Sequence, residues 1–519
     1  MKPFVHIQGP YPLRPDSRSG QFFLYSILLW TLVAAPPLHA QPNTLWTRTV
    51  PACQDAVSVA VTPEGDYVAV GNSKGVNSSI CLAKVTVLGE VLWQKTISSG
   101  GADIGAASMV AARDGGYVIA GARKPDSGST DGYVVKIDEQ GSVVWESILG
   151  GDKGDFFAAI AQSADGGYVL AGTTWSFSDT TSGGDVYLVK TNSEGRLAWE
   201  QAVDDAYLDR GEAVIETTDG DVVAAGWIQD LPLDPMEYQQ LLVRTDAEGS
   251  LRWKQRLRSQ ERPGVSSRAY GVASTATGGF LVAGWADYFI AGAFAFLVET
   301  DAEGGFLREQ IFIPGGLGDN VLGSDTEIRS IKPTSDGGYV LGGYVAVTRR
   351  PFEESDIEMY VAKLDAAGTL QREGLVPGAN LEKAEDIVEA PDGGYVLAGK
   401  RRDRDNSTNR MYIAKVALDT NTGLETPTDR HPIVPSLKEN YPNPFKSQTT
   451  IAYRVPRAGP VRLVVYDVLG REVAVLAEGV VPPGRHLVAF DVTDIPSGVY
   501  LYRLEAGGYV EARTMALVK

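Results

Sequence analysis

A single short phrase recurs seven times between Gly65 and Gly399, with about 50 to 60 residues from one copy to the next. Every copy joins a turn rich in aspartate and glycine to an apolar run that ends in glycine. The copies are GDYVAVG (Gly65–Gly71), DGGYVIAG (Asp114–Gly121), DGGYVLAG (Asp165–Gly172), DGDVVAAG (Asp219–Gly226), TGGFLVAG (Thr277–Gly284), DGGYVLGG (Asp336–Gly343) and DGGYVLAG (Asp392–Gly399). Tandem repeats of this length build propellers or solenoids, because each copy buries its apolar face against its neighbours. The repeat therefore restricts the chain to a few architectures.

Each copy contains four short apolar runs separated by turn residues. In the second copy the runs are Ala106–Arg113, Tyr117–Gly121, Asp131–Asp138 and Ser142–Ile148. Aspartate and glycine suit the turns between them, because both residues tolerate left-handed backbone angles. This pattern predicts a four-stranded antiparallel sheet for each copy.

The fourth run indicates how the ring closes. It carries a tryptophan in most copies, but the seventh copy has no fourth run of its own. The segment Asn43–Val50, before the first copy, contains Trp46 and can supply that strand. We therefore predict a seven-bladed β-propeller over residues 41–420, closed by this N-terminal strand, which hides edges that would otherwise aggregate. The alternative, an open solenoid, gives no role to the strand at Trp46.

The turn before the fourth strand forms an Asp-x-x-Gly-x-x-x-Trp phrase at Asp138–Trp145 and Asp246–Trp253. This phrase resembles the tryptophan motifs of pyrroloquinoline-quinone-type propellers and, weakly, the Asp-boxes of sialidases. The first resemblance implies a blade-docking role for the repeated tryptophans. They are Trp46, Trp93, Trp145, Trp199 and Trp253. A quinone-dependent dehydrogenase is disfavoured, because the chain has no vicinal cysteine pair and no clear set of calcium ligands.

The N-terminal segment, residues 1–40, predicts a cleavable signal peptide. Basic residues precede the apolar stretch Phe22–Ala35, and a small residue, Ala40, ends the segment. The alternative is a membrane anchor, for which the apolar run is short. Export would permit a disulfide between Cys53 and Cys81, the only two cysteines; two buried thiols are the other reading.

Composition excludes several classes of function. The net charge of −18 argues against a nucleic-acid partner, which requires clustered lysine and arginine. None of the four histidines lies within the repeats, so the commonest general base and transition-metal ligand is absent there. The Asp-Gly-Gly triplets are interpreted as hairpin turns, since no Asp-x-Asp-x-Asp-Gly calcium loop occurs. We therefore predict no catalytic residue, no metal and no cofactor.

Another pattern begins after a linker at residues 421–436. Alternating strands from Leu437 to Lys519 predict a small immunoglobulin-like β-sandwich. Three motifs stand out there: Tyr441-Pro442-Asn443-Pro444-Phe445, the run Val465–Val473 with Gly470, and Ser497-Gly498-Val499-Tyr500.

These motifs closely resemble the type A C-terminal sorting domain of the type IX secretion system, over residues 437–519. The resemblance implies passage through the periplasm of a Bacteroidota-type bacterium and release from, or display on, its outer membrane. It also implies two partners, the type IX machinery and its sortase. The alternative is an unrelated adhesive sandwich.

Strand connectivity predicts where a ligand would bind. The loops from second to third strand and from fourth to first strand emerge on one face, where binding residues concentrate on a rigid scaffold. Aromatic residues of these loops suit sugar rings or peptides, although they could equally anchor the loops: Trp175, Trp227, Trp285, Tyr288 and Tyr344. We predict a monomeric, non-catalytic binding or scaffold module. The alternative is a secreted carbohydrate-active enzyme with a carboxylate pair at the channel mouth.

Overall fold

The computed structural model describes residues 43–73, 78–178, 183–230, 238–258, 265–287, 293–312, 324–347, 356–376, 378, 381–403, 408–418, 436–437, 440, 443–455, 459–468, 470–481, 484–492, 495–506 and 509–518. The chain divides into two compact units, Met1–Thr422 and Gly423–Lys519. The described residues include no helix long and apolar enough to span a membrane. The predicted signal peptide, almost all of the predicted linker, Tyr288, Tyr441 and Pro442 lie outside the described residues.

The described part of the first unit is built from β-strands. An N-terminal strand, β1 (Asn43–Val50), precedes six sets of four strands and a final set of three. The strands are β2 (Ser58–Val61), β3 (Tyr67–Ser73), β4 (Ser79–Val85), β5 (Val91–Ile97); β6 (Asp103–Ala111), β7 (Tyr117–Lys124), β8 (Asp131–Ile137), β9 (Val143–Leu149); β10 (Asp155–Gln162), β11 (Tyr168–Thr174), β12 (Asp185–Thr191), β13 (Leu197–Val203); β14 (Leu208–Glu216), β15 (Val222–Gln229), β16 (Tyr238–Thr245), β17 (Leu251–Leu257); β18 (Ser266–Ser274), β19 (Phe280–Asp287), β20 (Ala293–Thr300), β21 (Phe306–Phe312); β22 (Ser324–Pro333), β23 (Tyr339–Val347), β24 (Asp356–Leu364), β25 (Leu370–Val376); β26 (Leu381–Glu389), β27 (Tyr395–Arg402) and β28 (Asn409–Ala417).

These strands form the seven blades that the repeat predicted. Within each blade, consecutive strands pair antiparallel. Strand β1 completes the seventh blade by pairing antiparallel with β28, where Trp46 lies opposite Lys415. The first strands of neighbouring blades contact one another around the whole unit, from β2 through β6, β10, β14, β18 and β22 to β26 and back to β2. The prediction of a seven-bladed propeller is therefore confirmed, and the first strands surround its axis.

The repeat phrase forms the hairpin between the first and second strands of each blade. In the second blade Gly115 adopts a left-handed φ of 94° and donates its N–H to the carbonyl of Ala112 at 3.0 Å. Asp114 of this turn forms an ion pair with Lys136 on the third strand. The same pairing recurs as Lys190–Asp165 at 2.9 Å and Lys415–Asp392 at 2.6 Å. The aspartates of these turns are thus structural, as the sequence indicated.

The core lies between adjacent blades. Second and third strands are buried along most of their length, because each blade is covered on both faces by its neighbours. One cluster, for example, joins Val68 and Leu82 of the first blade to Ile119 and Val135 of the second. Fourth strands instead alternate between half-buried and exposed residues, which is typical of a sheet edge near solvent.

The repeated tryptophans on the outer strands contact the following blade. Trp199 donates its indole N–H to the carbonyl of Ala247 at 2.9 Å, and a Cβ on Gly249 would lie 2.6 Å from its ring. The other contacts follow the same pattern: Trp46 on Gly89, Trp93 on Gly141, Trp145 on Gly195 and Trp253 on Gly304. Only glycine leaves room for an indole at this turn, so each tryptophan docks two blades.

A disulfide joins Cys53 to Cys81, with a Cα–Cα distance of 5.7 Å. Cys53 follows the closing strand β1, and Cys81 lies in the first blade. The carbonyl of Cys53 also accepts the N–H of Met411, in the seventh blade, at 2.9 Å. The bonded reading of the two cysteines is therefore the one present, and it lies where the first and last blades meet.

The second unit is a small sandwich of two sheets. Its strands are β29 (Ser436–Leu437), β30 (Gln448–Val455), β31 (Gly459–Tyr466), β32 (Glu472–Val481), β33 (Gly484–Asp491), β34 (Gly498–Ala506) and β35 (Tyr509–Leu517). One sheet has the order β29-β30-β33 and the other β32-β31-β34-β35. Ile451, Leu463, Tyr502 and Leu504 are buried in the core between them. This sandwich confirms the fold predicted for the C-terminal region.

Candidate functional site

The first strand of six blades contains a β-bulge beside the axis. The register shifts where one extra residue is inserted between two paired ones, as between Gly211 and Ala213. The extra residues are Ala107, Ala158, Glu212, Tyr270, Arg329 and Glu385. Bulges of this kind redirect a side chain and are common beside functional sites. The fourth to seventh blades carry large polar or charged residues there, whereas the second and third carry alanine.

Two residues before the bulge, the same four blades carry further charged side chains. Each pairs with a residue near the end of the second strand, shortly before the loop that leads to the third strand. The pairs are Arg210–Trp227, Arg268–Trp285, Glu327–Tyr344 and Lys383–Lys400. These residues lie at the end of the blades from which the second-to-third strand loops leave. We call these eight residues, together with Glu212, Tyr270, Arg329, Glu385 and the adjacent Tyr238, the mouth cluster.

Two arginines of the mouth cluster stack on aromatic rings. The Arg268 guanidinium lies 3.6 Å from the centre of the Tyr238 ring and 4.5 Å from that of Trp227. The Arg210 guanidinium lies 5.2 Å from the centre of the Trp227 ring and 5.5 Å from that of the Phe156 ring. Within the part of the chain that the structure describes, neither arginine forms an ion pair, and neither Nε has a hydrogen-bond acceptor. Both cations are therefore held in place by rings and not by carboxylates.

Two other cations of the mouth cluster, Arg329 and Lys400, share a carboxylate partner. Arg329 donates through Nε to Glu385 at 3.0 Å, and Lys400 donates to the other oxygen of that carboxylate at 2.8 Å. Burial alone would raise the pKa of Glu385, but Arg329 and Lys400 outweigh it and hold that pKa below its usual range. Lys383 lies 3.8 Å from the centre of the Tyr344 ring, and burial lowers its pKa.

Glu212 has the opposite electrostatic environment from Glu385. Its carboxylate accepts the indole N–H of Trp227 at 2.9 Å. Burial raises the pKa of Glu212, although this hydrogen bond and the charges of Arg210 and Arg329 oppose the rise. The mouth cluster thus contains one carboxyl group whose pKa is raised and one whose pKa is lowered, a difference that acid–base catalysis by two carboxyl groups also requires.

The aromatic residues predicted to bind a ligand occupy three kinds of position. Trp227 and Tyr344 are only 5% and 6% exposed, so little of either ring is open to a ligand, and their ligand-binding role stays a prediction. Arginine and lysine cover their rings, which the sequence alone does not reveal. Trp285 is half-buried within the mouth cluster, and its N–H donates to the hydroxyl of Tyr270 at 3.1 Å. Trp175 is half-buried against Phe156, and Tyr288 lies outside the described residues.

The charged residues of the mouth cluster were missed in the sequence. Their signal is their position: Arg210, Arg268, Glu327 and Lys383 fall at one place in successive copies, at the start of the first strand. A charged residue opening a strand is ordinarily read as a solvent-facing edge, because periodicity does not place the propeller axis. Only ring closure brings these side chains together.

A shallow cleft lies at the opposite, turn-bearing end of the first two blades. It has a volume of about 240 Å³ and is lined by Val61, Pro63 and Tyr117 among others. Glu139 is the one carboxylate among its described lining residues. A cleft with so few convergent polar groups offers little specificity, so the mouth cluster is the stronger candidate site.

In the second unit, the residues of the predicted sorting motifs lie close to the last strand. Phe445 is buried, and its N–H donates to the carbonyl of Ala516 at 2.9 Å. The side-chain oxygen of Asn443 accepts the N–H of Ala516 at 2.9 Å. Gly470 adopts a φ of 76° in the turn after β31, and the Tyr500 hydroxyl donates to Pro496 at 2.7 Å.

Comparison with known protein families supports the reading of the second unit. The profile of the secretion system C-terminal sorting domain matches residues 439–517, so the chain ends in such a domain, which indicates secretion or cell-surface export. No curated protein sequence matches the chain significantly.

Among solved structures, a protein of unknown function from Bacteroides caccae is 14% identical with a TM-score of 0.37, over 60% of this chain and 94% of its own. The Pan2 WD40 domain of Neurospora crassa is 10% identical with a TM-score of 0.43, over 72% and 95% of the two chains. The BP39L lectin of Burkholderia pseudomallei is 10% identical with a TM-score of 0.45, over 71% and 98%. These similarities concern the fold alone.

Proposed function

We propose that this protein is an exported propeller that binds an acidic polysaccharide at the mouth cluster without transforming it. The observation that supports this proposal is the pair of ring-stacked cations, Arg210 and Arg268, which have no carboxylate partner among the described residues. A guanidinium stacked on a ring keeps its N–H groups at the edge of its plane, where carboxylate or sulfate oxygens can accept two parallel hydrogen bonds.

The surroundings of these arginines suit a sugar better than a small ion. Trp285 and Tyr270 are half-buried, so part of each ring remains accessible beside Arg268. Aromatic rings with a polar edge suit the apolar faces of pyranose rings, while the arginines select for the acidic groups.

The net charge of −18 does not oppose such a ligand at short range. Charges on the outer strands are screened beyond a Debye length of about 8 Å at physiological ionic strength. The locally basic mouth cluster therefore dominates once a ligand is in contact, although association should be slower than for a basic protein.

Binding assays with defined polymers test this proposal. The purified protein would be titrated calorimetrically with polygalacturonate, a sulfated galactan, a neutral galactan and poly-glutamate. We expect binding of an acidic glycan and none of the neutral one. Arg268→Ala and Arg210→Ala should each weaken binding by about 10- to 100-fold, since a charge-assisted hydrogen bond contributes about 1.5–3 kcal/mol. Arg268→Lys should fall between, because lysine keeps the charge but loses the fork.

A matched control is Arg196→Ala, since Arg196 is a 79% exposed side chain at a turn on the other end of the blades. It should bind like the unaltered protein. Equal affinity for neutral and acidic glycans, or no effect of Arg268→Ala, would contradict the proposal. Binding of poly-glutamate alone would identify an acidic peptide as the ligand instead.

The opposed environments of Glu212 and Glu385 favour a second candidate, a carbohydrate-active enzyme that uses these two carboxyl groups. The same titrations distinguish it. Depolymerisation of the bound glycan by the unaltered protein, lost in Glu212→Gln, would establish this alternative over simple binding.

For export we propose the type IX route, with the tail recognised after passage through the periplasm and removed by the sortase. The match of residues 439–517 to the sorting-domain family supports this proposal. In the native host, deletion of residues 437–519 should leave a folded propeller in the periplasm, whereas the unaltered protein reaches the surface or the medium. Cell fractionation with immunoblotting measures this. Normal surface delivery of the truncated chain would overturn the route.

A further inference from the structure

Three aspartates converge between the third and fourth blades, outside the mouth cluster. Asp185 begins β12, Asp204 follows β13 directly, and Asp209 lies near the start of β14. One carboxylate oxygen from each lies within 4.8 Å of the other two. Asp185 and Asp209 are buried, with 2% and 0% of their surface exposed, whereas Asp204 faces solvent.

Asp209 is only half satisfied by the protein. Its Oδ2 accepts the backbone N–H groups of Asp205 at 2.6 Å and Ala206 at 3.0 Å. Its Oδ1 accepts no hydrogen bond from any residue that the structure describes. A fully buried carboxylate oxygen without a donor costs free energy that a folded protein ordinarily recovers through a partner. A cation among the three carboxylates would be that partner.

Basic residues nearby do not supply the charge. Lys254 pairs with Asp205 at 2.8 Å and also donates to the backbone carbonyl of Asp204, and Arg256 pairs with Asp205 as well. Across the described ranges, no ion pair includes the carboxylate of Asp204 or Asp209. Lys254 and Arg256 are thus both engaged by a fourth aspartate.

We propose that Asp185, Asp204 and Asp209 bind a calcium ion. Oxygens at 2.3–2.6 Å from one Ca²⁺ lie at most about 5 Å apart, and the spacing of the three carboxylates falls within that limit. All three donors are hard oxygens, which calcium prefers to softer ligands. The exposed Asp204 leaves a path for entry and room for water ligands.

The preceding blade contains an internal control. Asp155 occupies the same place in its blade as Asp209 does in the next. The backbone N–H of Asp155 donates to the carbonyl of Thr130 at 2.7 Å, and that of Asp209 donates to the carbonyl of Gly184 at 2.8 Å. Both carbonyls lie just before the third strand of the preceding blade. Asp155 is also fully buried, and its Oδ2 accepts the N–H of Gly151 at 2.8 Å and the hydroxyl of Ser176 at 2.7 Å. Unlike Oδ1 of Asp209, its Oδ1 also has a protein donor, the backbone N–H of Ser176 at 3.5 Å. One blade satisfies this aspartate with protein donors, and the next leaves a place for an ion.

A calcium ion here would brace the rim beside the mouth cluster. Asp209 precedes Arg210 directly, and a Cβ on Gly184, the residue before Asp185, would lie 2.8 Å from the Trp175 ring. The ion would therefore join the end of one loop to the first strand of the next blade. This inference is independent of the ligand proposed above.

Calorimetry with Ca²⁺ and luminescence with Tb³⁺ test the site on the purified full chain freed of metal. Tb³⁺ takes calcium sites and emits when a nearby indole is excited, and Trp175 is close enough to serve. We expect one Ca²⁺ to bind per chain, with a Kd of about 10⁻⁴ to 10⁻³ M, the range of extracellular modules. Ca²⁺ at ten times Kd or more should raise the thermal unfolding midpoint by a few degrees.

Asp209→Asn and the exposed Asp204→Asn should each weaken Ca²⁺ binding at least tenfold and remove its effect on the unfolding midpoint. Asp155→Asn should keep both. Trp175→Phe should lose the Tb³⁺ emission but retain calorimetric Ca²⁺ binding. Absence of Ca²⁺ binding at millimolar concentration would overturn the inference. So would unchanged affinity in Asp204→Asn, a variant whose exposed side chain makes misfolding a poor explanation.

Discussion

The last glycine of each repeat phrase is required by a close approach between two strands. A Cβ at these seven positions would lie between 1.7 and 1.9 Å from a backbone carbonyl oxygen. In the second to seventh blades that oxygen belongs to the first strand, and in the first blade it belongs to Asp55, before that strand. At Gly172 that oxygen belongs to Phe156, and at Gly226 it belongs to Arg210. The carbonyl precedes the bulge that redirects residues toward the axis. The repeated glycine therefore permits the bulge and, with it, the mouth cluster.

Replacing Gly172 with alanine tests this close approach. The Phe156 carbonyl belongs to the backbone and cannot rotate away, so Gly172→Ala should destabilise the propeller by more than about 3 kcal/mol. Gly166→Ala is the matched control in the same phrase, because Gly166 has a φ of 88° with nothing within 4 Å of a Cβ. That change should cost only about 1–2 kcal/mol, the strain of a left-handed alanine. Thermal unfolding measures both; a loss at Gly172 no larger than that at Gly166 would contradict crowding by the Phe156 carbonyl.

At the scale of the strand, the repeat predicted most of what the structure contains. Apolar runs and aspartate–glycine turns identified four strands per copy, because each run is short and each turn needs residues that tolerate unusual angles. The tryptophan of the fourth strand was assigned to blade contacts, and Trp145 and Trp199 do lie on turn glycines of the next blade. A residue that recurs at one position of the repeat thus makes the same contact between each pair of blades that it joins.

The bulged first strand could not be predicted in the same way. With one extra residue, such as Glu212 or Arg329, the hydrophobic pattern still indicates an ordinary strand. The extra residue nevertheless changes which side chains face the axis. The cations Arg210, Arg268 and Lys383 were missed for another reason: they open the first strand, where a charged residue is ordinarily read as a solvent-facing edge. Trp227 lies near the end of a strand before a loop, and the sequence does not reveal that Arg268 from the next blade covers its ring. Contacts between copies depend on ring closure, which no single copy encodes.

At the scale of the whole molecule, ring closure depends on a strand separated from its partner by most of the chain. Strand β1 pairs with β28 over its whole length, and Trp46 donates its indole N–H to Val87 of the first blade at 2.9 Å. Arg48 donates to Gly89 at 2.6 Å. The same strand therefore completes the seventh blade and docks it to the first. Among the described fourth strands, it alone joins the two ends of the propeller.

Deleting Asn43–Val50 should consequently destabilise the entire ring and not only its end. The deletion exposes the edge of β28, including the backbone groups that pair with β1, and uncovers the side of the first blade where Trp46 packs. Loss of the tryptophan contact alone is worth about 3 kcal/mol, and an unpaired edge strand promotes association between chains. We expect a lower thermal unfolding midpoint together with oligomers in light scattering.

Removing residues 437–519 is the control. This deletion is about ten times as long, but the deleted residues form their own core, so the unfolding midpoint of the propeller should not change. A monomeric deletion mutant that keeps the midpoint of the full-length protein would contradict closure by β1, since the disulfide and the remaining blades would then suffice to hold the ring.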